Sequence, residues 1–483
     1  MQKLKKILKD IPYTSIRGSK EVQITGITSD SKLVSPGNLF LAKKGCSYDG
    51  TDFIQEAIEG GAVAIVTDIF DPFLGKVVQV IHSDVASIEA DIAAAYYQYP
   101  AKELITIGIT GTNGKTTSAY LIRHILKYAK KYCGLISTVE YSTGKNHMSS
   151  SYTTPNSIFC QKLLREMVKE DCSHAVLEVS SHGLEQDRIK HIPFSIALFT
   201  NISHEHLDYH ETFENYLLAK KKLFKDLSTI AVINIDSPYG YYMSENVKGK
   251  IISYAVEKKA DFSAENIQLT PFGTDFSLNF KEKKISIHSP LIGNFNIQNM
   301  LAAIATTQTL GVDIETISQA IKSFKGVPGR LEPVLHKKKI QIFVDYAHTE
   351  DALKNVLLTL LEIKKGKIIT LFGCGGDRDK EKREKMAEIS AKLSDFVIIT
   401  TDNPRNEDPE KICKNILCGI PQNFPHLVEL DRKKAIEKAI EIAEKDDVIL
   451  IAGKGHEKEQ IFANKTLPFD DKIVAKEIYS KSF

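Results

Sequence analysis

The sequence has no long apolar run, no Cys-x-x-Cys pair and almost no net charge, and each absence removes a class of function. No stretch approaches the roughly 18 apolar residues of a membrane-spanning helix. The start, MQKLKKILKD, is basic, but Asp10 and Pro12 arrive before any apolar region of signal-peptide length. Neither export nor membrane insertion is expected. The seven cysteines, at 46, 133, 160, 172, 374, 413 and 418, are odd in number and scattered. That pattern offers no zinc or dithiol site and leads to the expectation of a reducing cytoplasm. With 63 Lys and Arg against 61 Asp and Glu the net charge is +2, too little to draw the whole molecule onto nucleic acid or an anionic membrane. Any anion it binds must be held by a local site.

What is there is the balance of a globular protein. The 483 residues are 42% hydrophobic and 26% charged, with 28 Gly and 16 Pro, which excludes a disordered or collagen-like chain. At about 150 residues per domain the length predicts three domains. Short β-branched runs alternate with segments of helical period: AVAIVT (62–67), LITIGIT (104–110), HAVLEV (174–179), TIAVINI (229–235), KIITLFG (367–373), DFVIITT (395–401) and DVILIAG (447–453). Such runs between helices predict parallel sheets covered on both faces, an α/β fold. Two breaks, YYQYPAKEL (96–104) and FKGVPGRLEP (324–333), place domains at 1–102, 103–329 and 330–483. The densest charge run, DRDKEKREK (377–385), reads as a solvated helix face.

The strongest local signal is Gly108-Ile-Thr110-Gly111-Thr112-Asn113-Gly114-Lys115-Thr116-Thr117, between an apolar strand and a helix-like segment. Glycines there let backbone N–H groups curl around phosphate oxygens, and the helix N-terminus adds positive potential. Lys115 would reach the terminal phosphates and Thr116 would offer its hydroxyl to Mg²⁺. The loop is a variant, since Ile109 stands where the standard form has its first glycine. Glu178 ends the strand HAVLEV, at the edge where open α/β sheets bind ligands, and is either a metal ligand or a solvated rim residue. The run His204-Glu-His206-Leu-Asp208-Tyr-His210 fits zinc through His206 and His210, Mg²⁺ through one imidazole, or plain solvent-facing histidines.

These motifs, followed by Tyr216-Leu-Leu-Ala-Lys220, Gly293-Asn-Phe-Asn296-Ile-Gln-Asn299, Gly329-Arg330 and Asp345-Tyr-Ala-His348, stand in the order found in the Mur ligases, which the chain resembles over essentially its whole length. Those are ATP-dependent amide-bond-forming enzymes of peptidoglycan precursor synthesis. The resemblance implies a small N-terminal α/β domain for a uridine nucleotide, a central P-loop ATPase-like parallel-sheet domain and a C-terminal Rossmann-like domain. Thr28-Ser-Asp30-Ser31-Lys32, Gly375-Gly-Asp-Arg378 and Asp402-Asn403-Pro404-Arg405-Asn-Glu-Asp-Pro are similar to the branch that adds a diamino acid to UDP-N-acetylmuramoyl-L-alanyl-D-glutamate. In that branch Arg after Asp-Asn-Pro goes with meso-diaminopimelate. The physical reason is separate: a guanidinium fork can grip the distal carboxylate that lysine lacks.

The resemblance also implies roles. ATP would be bound by Thr110 to Thr117, Asn299, Arg330, Asp345 and His348, with Mg²⁺ on Thr116, Glu178, His206 and a carbamylated Lys220. Lys115, Lys220 and His206 would be catalytic. Ser31, Thr153, Thr154, Ser180, Gln186 and Arg188 would hold the UDP-linked substrate. Arg378, Asp402, Asn403, Pro404, Arg405, Gly453 and Glu457 would hold diaminopimelate, with Glu457 facing its ammonium. Read locally, Lys220-Lys221-Lys222 is a solvated helix face, and Glu350 stands where a proline is common after Asp-Tyr-Ala-His-Thr. The partners expected are these small molecules, with neither nucleic acid nor membrane, and the chain is expected to act as a monomer. Three domains carrying three ligands lead to the expectation of a cleft that closes on reaction. The rivals are L-lysine as acceptor, a folylpolyglutamate synthase, and a non-catalytic nucleotide switch or scaffold.

Overall fold

A computed structural model describes residues 1–45, 48–203, 205–270, 273–281, 283–334 and 340–481. His204 of the histidine run and Cys46 lie outside the described residues. The chain forms two compact units: Met1–Lys115 with Leu126–Ile233 and Ser237–Ile252, and Thr116–Ile125 with Asn234–Asp236 and Ser253–Phe483. All seven apolar runs are strands in parallel ladders, because a strand covered on both faces can be apolar throughout.

The first unit opens with a five-stranded sheet in the order Ser15–Arg17, Val78–Ile81, Ala64–Thr67, Asn38–Leu41, Gly26–Thr28. The helix Val85–Tyr96, capped by Asp84, packs Ile88 and Ile92 into its core. At the break after this helix, Gln98 and Tyr99 both take positive φ before Pro100 starts a tight turn. The chain then enters β1 (Ile105–Thr110), and α1 (Lys115–Tyr128) follows. Next come β2 (Cys133–Ile136), α2 (Ser157–Lys169), β3 (His174–Glu178), β4 (Ile196–Phe199), α3 (Phe213–Lys225) and β5 (Ile230–Asn234). The parallel order is β2-β3-β1-β4-β5. The connections leaving β1 and β3 therefore diverge around β1, and such a switch point at the carboxyl edge is where open α/β sheets bind ligands.

In the second unit the antiparallel strands Phe262–Thr270, Gly273–Phe280 and Lys283–Ser289 precede α4 (Asn294–Thr309). There follow β6 (Gln341–Asp345), α5 (Glu350–Ile363), β7 (Ile368–Phe372), α6 (Glu381–Leu393), β8 (Phe396–Ile399), α7 (Arg432–Ile442) and β9 (Val448–Ala452). Their parallel order is β6-β9-β7-β8. One face packs on α5 and α6 through Leu357, Leu360 and Met386, the other on α7 through Ile436 and Ala439. Arg432, at the start of α7, makes a fully buried bidentate pair with Asp471 and also donates to the carbonyl of Ala452, which ties α7 to the end of β9. Glu350 is the first residue of α5, and Thr349 caps it by accepting from the Ala352 N–H. The first helical position suits proline because its N–H has no intrahelical partner, and suits glutamate because of the dipole, so the turn keeps its helical start without the proline.

The charge-run expectation fails at one residue. Arg383 is 1% exposed and bonds Glu407 and Asn415. The rest of the run is mostly exposed.

His174, at the start of β3, is 2% exposed, and its Nε2 has no hydrogen-bond partner among the described residues. Burial, helped by Lys131, pushes its pKa down to about 4. Between the ordinary value of 6.5 and about 4 the unfolded chain binds a proton that the native state refuses. Stability is therefore full at neutral pH and falls as pH drops through that window. Acidification to pH 4 should remove up to about 3 kcal/mol through this residue. In urea titrations followed by circular dichroism, His174→Leu should abolish that share of the acid sensitivity.

Candidate active site

The loop after β1 is shaped by glycine and clamped by its neighbour strand. Gly111 has φ of 147°, and a Cβ there would lie 1.9 Å from Thr200 Oγ1. Gly114 has φ of 85°. Asn201, just past β4, takes the Thr112 N–H on its carbonyl at 2.9 Å and the Asn113 N–H on Oδ1 at 2.9 Å. Thr200 Oγ1 and Asn201 Nδ2 both donate to the Asn113 carbonyl. The clamp was not anticipated from the sequence, where Thr200 and Asn201 stand just before the histidine run.

Two lysines meet on this loop. Lys115 Nζ donates to the carbonyls of Gly111 and Thr112, both at 2.8 Å. Lys220, on α3, donates to the same Gly111 carbonyl at 3.0 Å and lies 4.6 Å from the Tyr216 ring centroid. Tyr216 in turn shares a hydrogen bond with Thr112 Oγ1. Lys220 is 2% exposed, so it is no part of a solvated face. Only Lys222 behaves as that reading expects, in an exposed pair with Glu185. Burial, and then the charge of Lys115, lower the Lys220 pKa well below the ordinary lysine value. Both influences act against the ammonium form.

Glu178 is fully buried, which rules out the solvated-rim alternative. Its two oxygens accept from the N–H and hydroxyl of Thr138 at 2.9 and 3.0 Å, and the Thr138 and Thr153 hydroxyls are hydrogen-bonded. Thr154 Oγ1 donates to the Glu178 carbonyl and accepts from the Ser180 N–H. Arg188 reaches the Thr154 carbonyl at 2.7 Å and is held by Gln186 Oε1 through Nε and Nη2. The fold thus brings Thr153, Thr154, Ser180, Gln186 and Arg188 together from three separate stretches of chain. Ser31 stays in the N-terminal sheet region, bonded to Glu56.

His206 has φ of 57° and is exposed, with its ring 5.0 Å from that of His182. His210 packs on His182 and Tyr216. No group of three or more His, Cys, Asp or Glu among the described residues is arranged to hold a metal, so the zinc reading gains no support. A buried carboxylate among threonine hydroxyls is an oxygen donor set, which fits a hard cation such as Mg²⁺. Lys220 would join such a set only after its nitrogen had been converted to an anionic group.

In the second unit the Arg330 guanidinium lies 4.7 Å from the Tyr346 ring centroid, with Nη2 3.4 Å from Thr116 Oγ1. Asp345, at the end of β6, accepts the N–H groups of Leu331 and Ala347. Burial raises its pKa, against the opposing charge of Arg330. His348 Nδ1 bonds the Tyr346 carbonyl. Asn299 bonds Asn296 Oδ1 and accepts from Ser118.

The other named residues of this unit gather on the loops after β7, β8 and β9. Arg405 has φ of 51° and donates to the Gly376 carbonyl at 2.8 Å; Arg378 is exposed beside it in the chain segment that follows. Asp402 is buried and accepts from the Asn403 N–H, and the Pro404 carbonyl accepts from the Glu407 N–H. A Cβ on Gly453 would meet Asp402 Oδ2 at 2.7 Å. Glu457 Oε2 accepts from Asn403 Nδ2 at 2.7 Å and from Lys454 Nζ at 3.0 Å. Lys454 was missed in the sequence. It is fully buried and also bonds Asn403 Oδ1 and the Glu459 carbonyl. Its place between two glycines, three residues before Glu457, was the available signal.

Gly111→Ala should collapse the loop, because no rotation relieves the approach of Cβ to the Asn201 carbonyl oxygen at 2.8 Å or the positive φ. Calorimetric titration with ADP should show binding weakened at least about tenfold, the loss of one strong charge-assisted contact.

Residues 23–99 match the Mur ligase family catalytic domain, 109–307 the Mur ligase middle domain and 329–455 the Mur ligase glutamate ligase domain. The chain is 44% identical to the UDP-N-acetylmuramoyl-L-alanyl-D-glutamate--2,6-diaminopimelate ligase of Chlamydia felis, over 95% of each chain. It is 42% identical to a ligase of the same name from Clostridium acetobutylicum, over 100% of each. A solved structure of a ligase with that name superposes with a TM-score of 0.69 at 30% identity, covering 100% of this chain and 99% of the other. Similarity that runs unbroken through both units, taken with the clamped phosphate loop, leaves no other assignment: the chain belongs to the Mur ligase family of ATP-dependent amide-bond-forming ligases.

Proposed function

We propose that the chain adds meso-2,6-diaminopimelate to the D-glutamyl γ-carboxylate of UDP-N-acetylmuramoyl-L-alanyl-D-glutamate, converting ATP to ADP and phosphate. The observation that carries this reading is full-length similarity to ligases of that name, in a chain that keeps Arg405 after Asp-Asn-Pro. The division into 1–102 for the UDP substrate, 103–329 for ATP and 330–483 for the amino acid, action as a monomer and a cytoplasmic setting belong to the same proposal. No helix among the described residues is long and apolar enough to cross a membrane.

The chemistry follows from a poor leaving group. A carboxylate oxygen does not leave to an amine, so the γ-phosphoryl group of ATP first passes to the γ-carboxylate. The amine then attacks the acyl carbon, the C–O bond to phosphate breaks, and the amine proton is released. Such transfers are accelerated by positioning and fixed positive charge. Lys115 and the loop N–H groups would hold the phosphates, and Arg330, Asn299, Asp345 and His348 the rest of ATP. Thr116, Glu178, His206 and Lys220 would hold Mg²⁺, which when bound neutralises phosphate charge. Ser31, Thr153, Thr154, Ser180, Gln186 and Arg188 would hold the UDP-linked dipeptide, Arg188 facing its acidic end. Arg405 and Arg378 would read the distal carboxylate, and Glu457 the distal ammonium, within the pocket formed with Asp402, Asn403, Pro404 and Gly453.

Lys220 fits its part through its lowered pKa. The neutral amine attacks CO₂, an N–C bond forms as one C=O π bond opens onto oxygen, one N–H proton leaves to solvent, and the neutral group becomes an anion beside Lys115. Protein exposed to ¹³C-bicarbonate should give a carbamate carbon signal that Lys220→Met lacks, and that variant should lose turnover at least about 100-fold, as when a charged group is removed from an active site.

Phosphate release with ATP, Mg²⁺ and the UDP-dipeptide tests the function, with diaminopimelate and L-lysine in parallel. Turnover with diaminopimelate and little with lysine is expected, and Arg405→Ala should raise KM for diaminopimelate about tenfold or more. A preference for lysine would overturn the acceptor assignment, and silence with both would overturn the reaction.

A further inference from the structure

The loops that carry Arg378 and Arg405 each contain a non-glycine residue in the left-handed region: Asp377 at φ 54° and Arg405 at φ 51°. Side chains hold that conformation only where the surroundings enforce it. The enforcing group here comes from outside the substrate-reading residues. Arg383, in the first turn of α6, is 1% exposed and gives Nη2 to both oxygens of Glu407, at 2.9 and 3.0 Å. Its Nη1 is fixed by Asn415 Oδ1 at 2.9 Å. Glu407 Oε1 also accepts the Asp377 N–H at 2.7 Å. One carboxylate therefore binds the buried guanidinium and the strained backbone of the facing loop together.

The remaining links complete a lattice across the two loops. Asp377 Oδ2 accepts from Asn406 Nδ2 at 2.8 Å, the Gly376 N–H donates to the Asn403 carbonyl, and Arg405 Nη1 donates to the Gly376 carbonyl. We propose that Arg383 and Glu407 are positioning residues for acceptor recognition, whose ion pair locks the 375–378 and 402–407 loops so that both guanidinium readers meet the distal carboxylate already oriented. This rests on the acceptor reading above. Arginine has many rotamers to lose on binding, and fixing the loops beforehand moves that loss from the binding step to folding. A brace with no such role would change stability and every kinetic constant alike.

Glu407→Gln, which keeps shape and removes charge, separates the two. KM for diaminopimelate should rise about tenfold or more, the loss expected for a charge-assisted contact, while KM for ATP and for the UDP-dipeptide stays within about twofold. The preference for diaminopimelate over lysine should narrow. Arg383→Lys keeps a point charge opposite Glu407 and should fall between wild type and Glu407→Gln. If Glu407→Gln does not fold, Asn406→Ala removes only the exposed side-chain clamp on the Asp377 carboxylate and should raise the same KM about threefold, the size of one solvent-exposed hydrogen bond. An unchanged KM for diaminopimelate, or equal movement of all three KM values and kcat, overturns the inference and leaves the acceptor reading intact. A wild-type enzyme that does not turn over diaminopimelate overturns the acceptor reading, and this inference with it.

Discussion

The parallel ladder is the constraint on which the rest of the structure depends. Parallel strands all end on the same edge of a sheet, so every loop that leaves a carboxyl end projects from one side. In the first unit this puts the phosphate loop after β1, Glu178 at the end of β3 and Thr200-Asn201 after β4 on a common edge. In the second it does the same for Asp345 and for the loops after β7, β8 and β9. The apolar strands carry no chemistry themselves. They fix where polar loops begin, to within the width of a strand, and short-range hydrogen bonds do the remainder.

Those hydrogen bonds place cations where burial alone would forbid them. An unpaired buried charge is among the most unfavourable features a fold can hold, and the chain meets that problem in two ways. Arg432 is neutralised outright by Asp471 through a fork matched to a carboxylate, and Arg383 by Glu407 through one nitrogen that reaches both oxygens. Lys220 has no carboxylate paired with it among the described residues and lies with its nitrogen on the same carbonyl as Lys115, so burial and like charge push its pKa down and disfavour the ammonium form. The first solution produces rigid scaffolding, the second a nucleophilic amine.

Much of this was legible in the sequence because the signals are local. A continuous β-branched run is a buried parallel strand whatever surrounds it, and Gly111 and Gly114 announce a backbone that side chains would obstruct. The effect of Glu350 was left open by the sequence, and the structure answers it through a cap and a dipole preference that act within one helical turn. What sequence did not disclose was pairing at a distance. Arg383 looks like its charged neighbours until Glu407, 24 residues on, turns it inward. Thr138 gains meaning only through Glu178, 40 residues away, and Asn201 only through the loop 88 residues before it. Lysine at 220 reads as surface because two more lysines follow it, yet a helix turns each successive residue by about 100°, so three adjacent lysines cannot share an environment.

The acceptor pocket follows the same logic of charges settled in advance. Glu457 already accepts from Asn403 and Lys454 on one oxygen, so the carboxylate is oriented and partly compensated before any ligand arrives, and a distal ammonium would meet its other oxygen. Among the described residues Arg378 and Arg405 form no ion pair with an acidic side chain: their hydrogen bonds are to the carbonyls of Asp377 and Gly376. On the proposed reading the positive half of this pocket is therefore completed only by a ligand carboxylate, while the negative half is nearly complete without one. Diaminopimelate supplies both charges. Lysine would leave two oriented guanidinium groups with nothing to bind, and a site built around a polar group rejects the analogue that lacks it far more strongly than an apolar pocket rejects a missing methylene. On that reading discrimination would reside in the loops after β7 and β8, and the register between those two loops would set which amino acid is joined.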